Sequence, residues 1–215
     1  KINSASINKQ ESIEDIIVKD FPAFAEEIVE IEFLIDEYRK YKKRSELMDY
    51  DDLLLNLLKV LKSEKASNQI RSRYKYIMID EYQDTNRLQH EIALLLAGNE
   101  SNIMAVGDDA QSIYSFRGAE HDNIIFFPKS FGECKIFKIQ ENYRSSQQIL
   151  NVTNHIISAS KFKFEKELFS NKKNGDLPFI ISSKDERQQS QFIVQQILDA
   201  REQGLELSDI AILYR

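Results

Sequence analysis

Over the first third of the chain, apolar residues recur at helical spacing. Ile13, Ile16 and Ile17, then Phe24, Ile28, Ile31, Leu34, Ile35 and Tyr38, mark one face from Glu11 to about Arg44. That period is the one amphipathic helices use to cover a core. Pro22 stands where a second helix can start, because its fixed φ and missing N–H suit a first turn. Asp49 is placed as an N-cap, with the apolar run Leu53 to Leu61 behind it. The spacing therefore predicts an all-helical segment to about Arg73.

The pattern then changes. Tyr76-Ile77-Met78-Ile79 is a short apolar run ending in an acidic pair, as a buried parallel strand does at its C-terminal edge. A helix is predicted from near Asn86 to Ala97, closed by Gly98. Ile103-Met104-Ala105-Val106 predicts a second strand, residues 135–139 a third, Phe179-Ile180-Ile181 a fourth and Ile210-Ala211-Ile212-Leu213 a fifth. Between them lie a helix capped by Ser145, carrying Ile149, Leu150, Val152 and Ile156, and another opened by Asp185 that runs to Gly204. Lys161 to Asp176 is charged and ends in an Asn-Gly turn, so it is expected to be irregular. Strands alternating with helices predict an α/β fold with a mainly parallel sheet.

Composition narrows the class. The 215 residues are 42% hydrophobic and 30% charged, an ordinary globular balance. No apolar run is long enough to span a membrane, and the N-terminal KINSASINKQESIED is not a signal peptide. A single cysteine, Cys134, excludes an internal disulfide and a cysteine-based zinc site and suits a reducing cytoplasm. The formal net charge of −6 argues against a passive DNA-coating protein, although residues 38–75 carry a local excess of +6. Such a stretch can meet phosphate or can simply be a solvated helix face. His90, His121 and His155 share no spacing and read as surface or packing residues.

Ligands of parallel sheets bind at the C-terminal strand ends. Asp80 and Glu81 sit at one such end, where one carboxylate can hold a magnesium ion bridging phosphates and its neighbour can polarise a water. Solvated acids capping a turn would give the same local pattern. At the next strand end, Gly107-Asp108-Asp109-Ala110-Gln111 offers a glycine where backbone can approach a ligand and an amide able to bond a terminal phosphate. Tyr114, Phe116 and Arg117 follow, either a stacking platform for unpaired bases or, for the two rings, part of the core. Arg144 in Glu141-Asn142-Tyr143-Arg144-Ser145 can act as an arginine finger on a γ-phosphate and Tyr143 can stack on a purine, although a capped helix start with one surface arginine gives the same string.

Three strings, IDEYQDTN at 79–86, VGDDAQSIYSFRGAE at 106–120 and QENYRSSQQIL at 140–150, closely resemble motifs II, III and IV of the UvrD/PcrA/Rep family of superfamily-one DNA helicases, in matching order. MDYDDLL at 48–54 resembles the short motif that precedes motif II, and DIAILYR at 209–215 resembles the strand that follows motif IV. The resemblance implies RecA-like P-loop NTPase motor domains. Residues 1–73 would be a helical segment returning from an insertion, 74–133 the second half of the first motor domain, and 134–215 the start of the second. It implies ATP and Mg2+ as cofactors, with single-stranded and partly duplex DNA as partners. Asp80 would hold magnesium, Glu81 would be the catalytic base, and Gln111 would sense the γ-phosphate. Arg144 would be the arginine finger, Tyr143 would stack on adenine, and Tyr114, Phe116 and Arg117 would lie along the single strand. Many relatives have tryptophan where this chain has Phe116, so a weaker base contact is expected.

A P-loop needs Gly-Lys-Ser/Thr, so that backbone amides and the lysine cradle the phosphates. None of the six glycines here is followed by Lys. The chain is thus expected to be an internal part of a longer helicase, unable to turn over ATP alone, with a 3′→5′ translocase as the implied whole. A helicase joined to a nuclease, or a nucleic-acid-binding module that has lost the motor, are the competing expectations. Asp80, Glu81, Gln111 and Arg144 together argue against the module, which has no need for both a metal ligand and an arginine finger, and Glu81 is the residue that separates the two.

Overall fold

The computed structural model describes residues 1–98, 102–131, 134–161, 163–172 and 175–214. The N-terminal third is helical, as the periodicity predicts: α1 (Ile2–Lys9), α2 (Ile13–Asp20), α3 (Ile28–Arg44), α4 (Tyr50–Leu61) and α5 (Glu64–Arg71). Pro22 opens a 3-10 turn, Pro22–Glu27, that leads into α3. The Asp49 cap forms as a reciprocal box: its side chain takes the Asp52 N–H while Asp52 takes the Asp49 N–H. Lys42 is buried between the same two carboxylates, at 2.7 and 2.6 Å, so this member of the basic stretch is paired rather than solvated. Ile7, Leu58, Leu61, Leu88 and Ile92 close the helices into one core.

Beyond Arg73 come β1 (Ile77–Ile79), α6 (Arg87–Ala97), β2 (Ile103–Ala105), α7 (His121–Ser130), α8 (Gln147–Ser158) and α9 (Glu186–Glu202). β1 and β2 pair in parallel, Ile77 opposite Ile103 and Ile79 opposite Ala105, as a strand–helix–strand unit requires. Asn86 and Gln89 box the start of α6, and Asp185 caps α9. A second core gathers Tyr82, Ala93, Ile124 and Phe127 beneath the sheet.

Three predicted strands do not form. Residues 135–139, 179–181 and 210–213 have no ladder partner among the described residues, and their apolar side chains, the half-buried Ile210 aside, are exposed, Phe137 by 86%. The first of these is held instead by side chains: Lys138 and Gln140 donate to the carbonyls of Glu165 and Glu167. The helix expected from a Ser145 cap begins one residue late, at Gln147, because Asn142 takes the Ser145 N–H into its own turn. The described part of 161–176 is irregular, as expected; Asn174 of the predicted Asn-Gly turn lies outside the described residues. What the structure supports is thus a helix-rich chain with a small parallel sheet.

The chain divides into two compact units, one of residues 1–141 and 154–168, the other of 142–153 and 169–215. In the second unit, Leu150 is the buried residue among those described. No helix among the described residues is long and apolar enough to cross a membrane.

Candidate functional site

Parallel pairing of β1 and β2 brings two loops to one sheet edge. The Val106 N–H donates to the Ile79 carbonyl (2.8 Å) and the Tyr82 N–H to the Val106 carbonyl (2.9 Å), so the two strand ends stay joined past the ladder. Asp80 and Glu81 leave this edge and are exposed. Glu81 has φ 51° and ψ 42°, a left-handed conformation uncommon for a residue with a Cβ and one that collects at functional sites. Its own N–H donates to Asp80 Oδ1 at 3.0 Å. The turn is anchored by Tyr82, fully buried, edge-on to Phe127 and 2.7 Å from His90 Nδ1 through its hydroxyl.

Gln83, 1% exposed, lies under the turn. Its Nε2 donates to Glu81 Oε2 at 2.7 Å and its Oε1 accepts the Asp108 N–H at 3.0 Å, while its backbone carbonyl accepts the Ser112 hydroxyl at 3.1 Å. The carboxylate can only accept and the N–H can only donate, so these partners fix the amide's orientation. Gly107 does not leave room for a ligand, as its place in the turn suggests. A Cβ there would stand 2.5 Å from Gln83 Oε1 and 2.8 Å from Ile124 Cδ1. The glycine is needed because protein fills that space.

Asp108 gathers the second loop. It accepts the Ala110 N–H at 3.0 Å, the Gln111 Nε2 at 2.8 Å and the Lys166 ammonium at 2.5 Å. Burial works to raise its carboxyl, but the bonds from Lys166, Gln111 and Ala110 outweigh it and hold the group below the usual range. Burial likewise works to lower Lys166, and its bonds to Asp108 and Asp109 leave it raised, so the pair stays charged. Asp109, itself buried, also accepts the Phe164 N–H at 3.1 Å.

The aromatic segment stands out from this loop. Tyr114 and Phe116 lie with ring centroids 5.8 Å apart, and Phe116 is 77% exposed, so neither is a core residue. Tyr114 precedes and Phe116 lies within a 3-10 turn, Ser115–Arg117, closed by Gly118 at φ 87°. The side chain of Arg117 lies outside the described ones. In the other unit, Asn142 Oδ1 accepts the Arg144 and Ser145 N–H groups at 3.0 and 2.7 Å, and the Lys172 ammonium caps the Arg144 carbonyl at 2.7 Å. This side-chain-to-backbone turn presents Tyr143 and Arg144 as exposed side chains.

Residues 4–132 match the model of the UvrD/REP helicase N-terminal domain, and residues 137–215 match that of the UvrD-like helicase C-terminal domain. The chain belongs to the UvrD/REP helicase family. It is 38% identical over 185 residues to the ATP-dependent DNA helicase Rep of Buchnera aphidicola subsp. Acyrthosiphon pisum, covering 85% of this chain and 29% of that protein. It is 34% identical over 179 residues to the ATP-dependent DNA helicase PcrA of Staphylococcus aureus, covering 83% of this chain and 24% of that protein. The chain thus spans 24–29% of the length of these curated relatives.

Within this UvrD/REP-family chain the first unit brings Asp80, Glu81 and Gln111 to one sheet edge, through Gln83 and Asp108. Tyr143 and Arg144 are set within the second unit. Among the described residues no cluster of three or more His, Cys, Asp or Glu could form a metal cage. Asp80 with adjacent Glu81 offers one or two hard oxygens, which fits a magnesium ion that takes its other ligands from phosphates and water. No local signal in the sequence assigns a role to Gln83, Asp108 or Lys166. Gln83 lies inside the IDEYQDTN string, but nothing local marks its partner 25 positions away.

Proposed function

We propose that this chain forms part of an ATP-dependent DNA helicase that couples ATP hydrolysis to 3′→5′ movement on single-stranded DNA and to duplex unwinding, in cytoplasmic DNA repair or replication. The observation that carries this reading is the pair of acidic and amide-bearing loops, Asp80-Glu81 and Gly107 to Gln111, joined at one parallel sheet edge in a chain that matches both family domains. On this reading residues 74–133 belong to a first RecA-like motor domain of the P-loop NTPase class, 134–215 to a second, and 1–73 to a helical insertion and its return.

Asp80 would hold Mg2+, which when bound offsets charge on the nucleotide phosphates. Glu81 accepts a proton from, or orients, the attacking water at its carboxylate. Gln111 bonds the γ-phosphate by exchanging its Asp108 partner for a phosphate oxygen. Arg144 supplies positive charge to the transferring phosphoryl group, and Tyr143 stacks on the adenine. Tyr114, Phe116 and Arg117 contact unpaired bases and backbone.

The test is ATP hydrolysis by the full-length gene product, with and without single-stranded DNA, for wild type and Glu81→Gln. Hydrolysis that DNA stimulates and that Glu81→Gln abolishes supports the motor. Hydrolysis that survives Glu81→Gln removes the role given to Glu81, and DNA binding without any hydrolysis points to a binding module. The 215-residue chain alone, which contains no Gly-Lys pair, is expected to be inactive, since positioning of the phosphates supplies most of phosphoryl-transfer catalysis.

A further inference from the structure

We propose that Gln83 is a positioning residue that sets the Glu81 carboxylate and ties it to the turn after β2, so that the position of the Gln111 loop is felt at the catalytic base. The inference rests on the role given to Glu81 above and adds a regulating partner to it.

Three hydrogen bonds run in series: Glu81 Oε2 to Gln83 Nε2 at 2.7 Å, Gln83 Oε1 to the Asp108 N–H at 3.0 Å, and Asp108 Oδ2 to Gln111 Nε2 at 2.8 Å. The first link takes one oxygen of Glu81 and leaves Oε1 without a partner among the described residues, directed by a backbone held in the left-handed region. The second link joins the two strand ends across 25 positions of sequence. The third reaches the amide that is read as the γ-phosphate sensor.

A buried amide with both ends occupied has little freedom to turn, and this one is confined further. The Ser112 hydroxyl holds the backbone carbonyl of the same residue, and Gly107 is bare of a Cβ where Oε1 passes. When Gln111 leaves Asp108 for another acceptor, or Asp108 shifts its backbone, the displacement passes through a rigid amide to the carboxylate. Glutamine suits the place because it is neutral, donates at one end and accepts at the other. A glutamate would set a second carboxylate against Glu81, and a hydrocarbon would strand the Asp108 N–H.

The experiment uses the full-length gene product carrying Gln83→Met, beside Glu81→Gln as control, with kcat and KM for ATP measured with and without single-stranded DNA. For Gln83→Met the expected result is a kcat lower by about 10²-fold, the cost of a misplaced base, with KM for ATP within about threefold. The ratio of DNA-stimulated to basal hydrolysis falls towards one. A folded Gln83→Met with wild-type kcat and stimulation ratio overturns the proposal. So does a lower kcat with the stimulation ratio intact, because a merely structural role lowers activity without touching coupling. Where Gln83→Met does not fold, Gln83→Asn decides by the same readout, since it keeps the amide but is one methylene too short to reach both partners. If Glu81→Gln itself stays active, the assignment of the base fails instead, and the two failures are told apart.

Discussion

The Lys166 ammonium lies 2.5 Å from Oδ1 of Asp109, across 57 positions of sequence, and the Asp109 side chain is only 2% exposed. The same ammonium meets Asp108, so one cation bridges two adjacent carboxylates beside the Gln111 loop. Removing one partner of a buried pair leaves the other charged and desolvated, at about 3–5 kcal/mol. Lys166→Met in the full-length protein is therefore expected to lower the melting temperature of the unit that contains β1 and β2. Adding Asp109→Asn recovers part of the loss, since a neutral amide oxygen still accepts the Phe164 N–H. Equal melting temperatures for wild type and Lys166→Met would refute this.

Gly107→Ala places a methyl carbon 2.5 Å from Gln83 Oε1 and 2.8 Å from Ile124 Cδ1. Gln83 is bonded at both ends and Ile124 is in the core, so neither yields easily. Overpacking of this kind costs about 1–3 kcal/mol. Thermal unfolding is expected to shift downward, and ATP hydrolysis to fall along with it. A variant as stable as wild type would show that the turn relaxes freely.

Much of the helical scaffold was legible because helices declare themselves locally. Asp49, Asn86 and Asp185 each cap where the pattern put them, and the Leu53–Leu61 face packs as its spacing requires. The strand at 77–79 was legible through its acidic end. Residues 135–139 were not, because a strand is made by its neighbour and a local apolar run cannot report that none of the described residues pairs with it. The acids at the sheet edge could be read from their place at a strand end, whereas the run of aromatics left Phe116 open between a stacking face and the core until its exposure decided against the core. Gln83 and Lys166 could not, since their partners are 25 and 57 positions away and only the folded chain brings them together.

Tyr82 and His90 give this turn a pH dependence. Burial lowers His90 below its ordinary value and raises Tyr82 to about 12. Below about pH 6.5 the unfolded chain takes up a proton that folded His90 resists, so stability is full above that value and is lost as pH falls through the lowered one. The Tyr82 contribution has the opposite sign: it is full below about pH 10 and is lost as pH rises through the raised value. His90→Gln keeps an acceptor for the Tyr82 hydroxyl but cannot titrate. Melting curves between about pH 7.5 and about pH 5.5 are expected to fall more steeply for wild type than for His90→Gln. Parallel profiles would remove His90 from the balance.

Phe116 tests the reading of the exposed segment as a DNA contact. Its ring lies 5.8 Å from that of Tyr114 and is 77% exposed, so most of it is open to a base. Stacking contributes about 1–3 kcal/mol per base, so Phe116→Ala is expected to weaken single-stranded DNA binding by about 5- to 150-fold. Phe116→Trp, with a larger face, is expected to strengthen it. The salt dependence separates this from lost charge. Phosphate contacts set the slope of affinity against salt, and an aromatic ring makes none, so Phe116→Ala lowers affinity at every salt concentration while leaving that slope unchanged. A variant that binds as wild type does would return Phe116 to an ordinary surface position. A changed slope would mean that the segment had moved and carried neighbouring basic side chains off the phosphates.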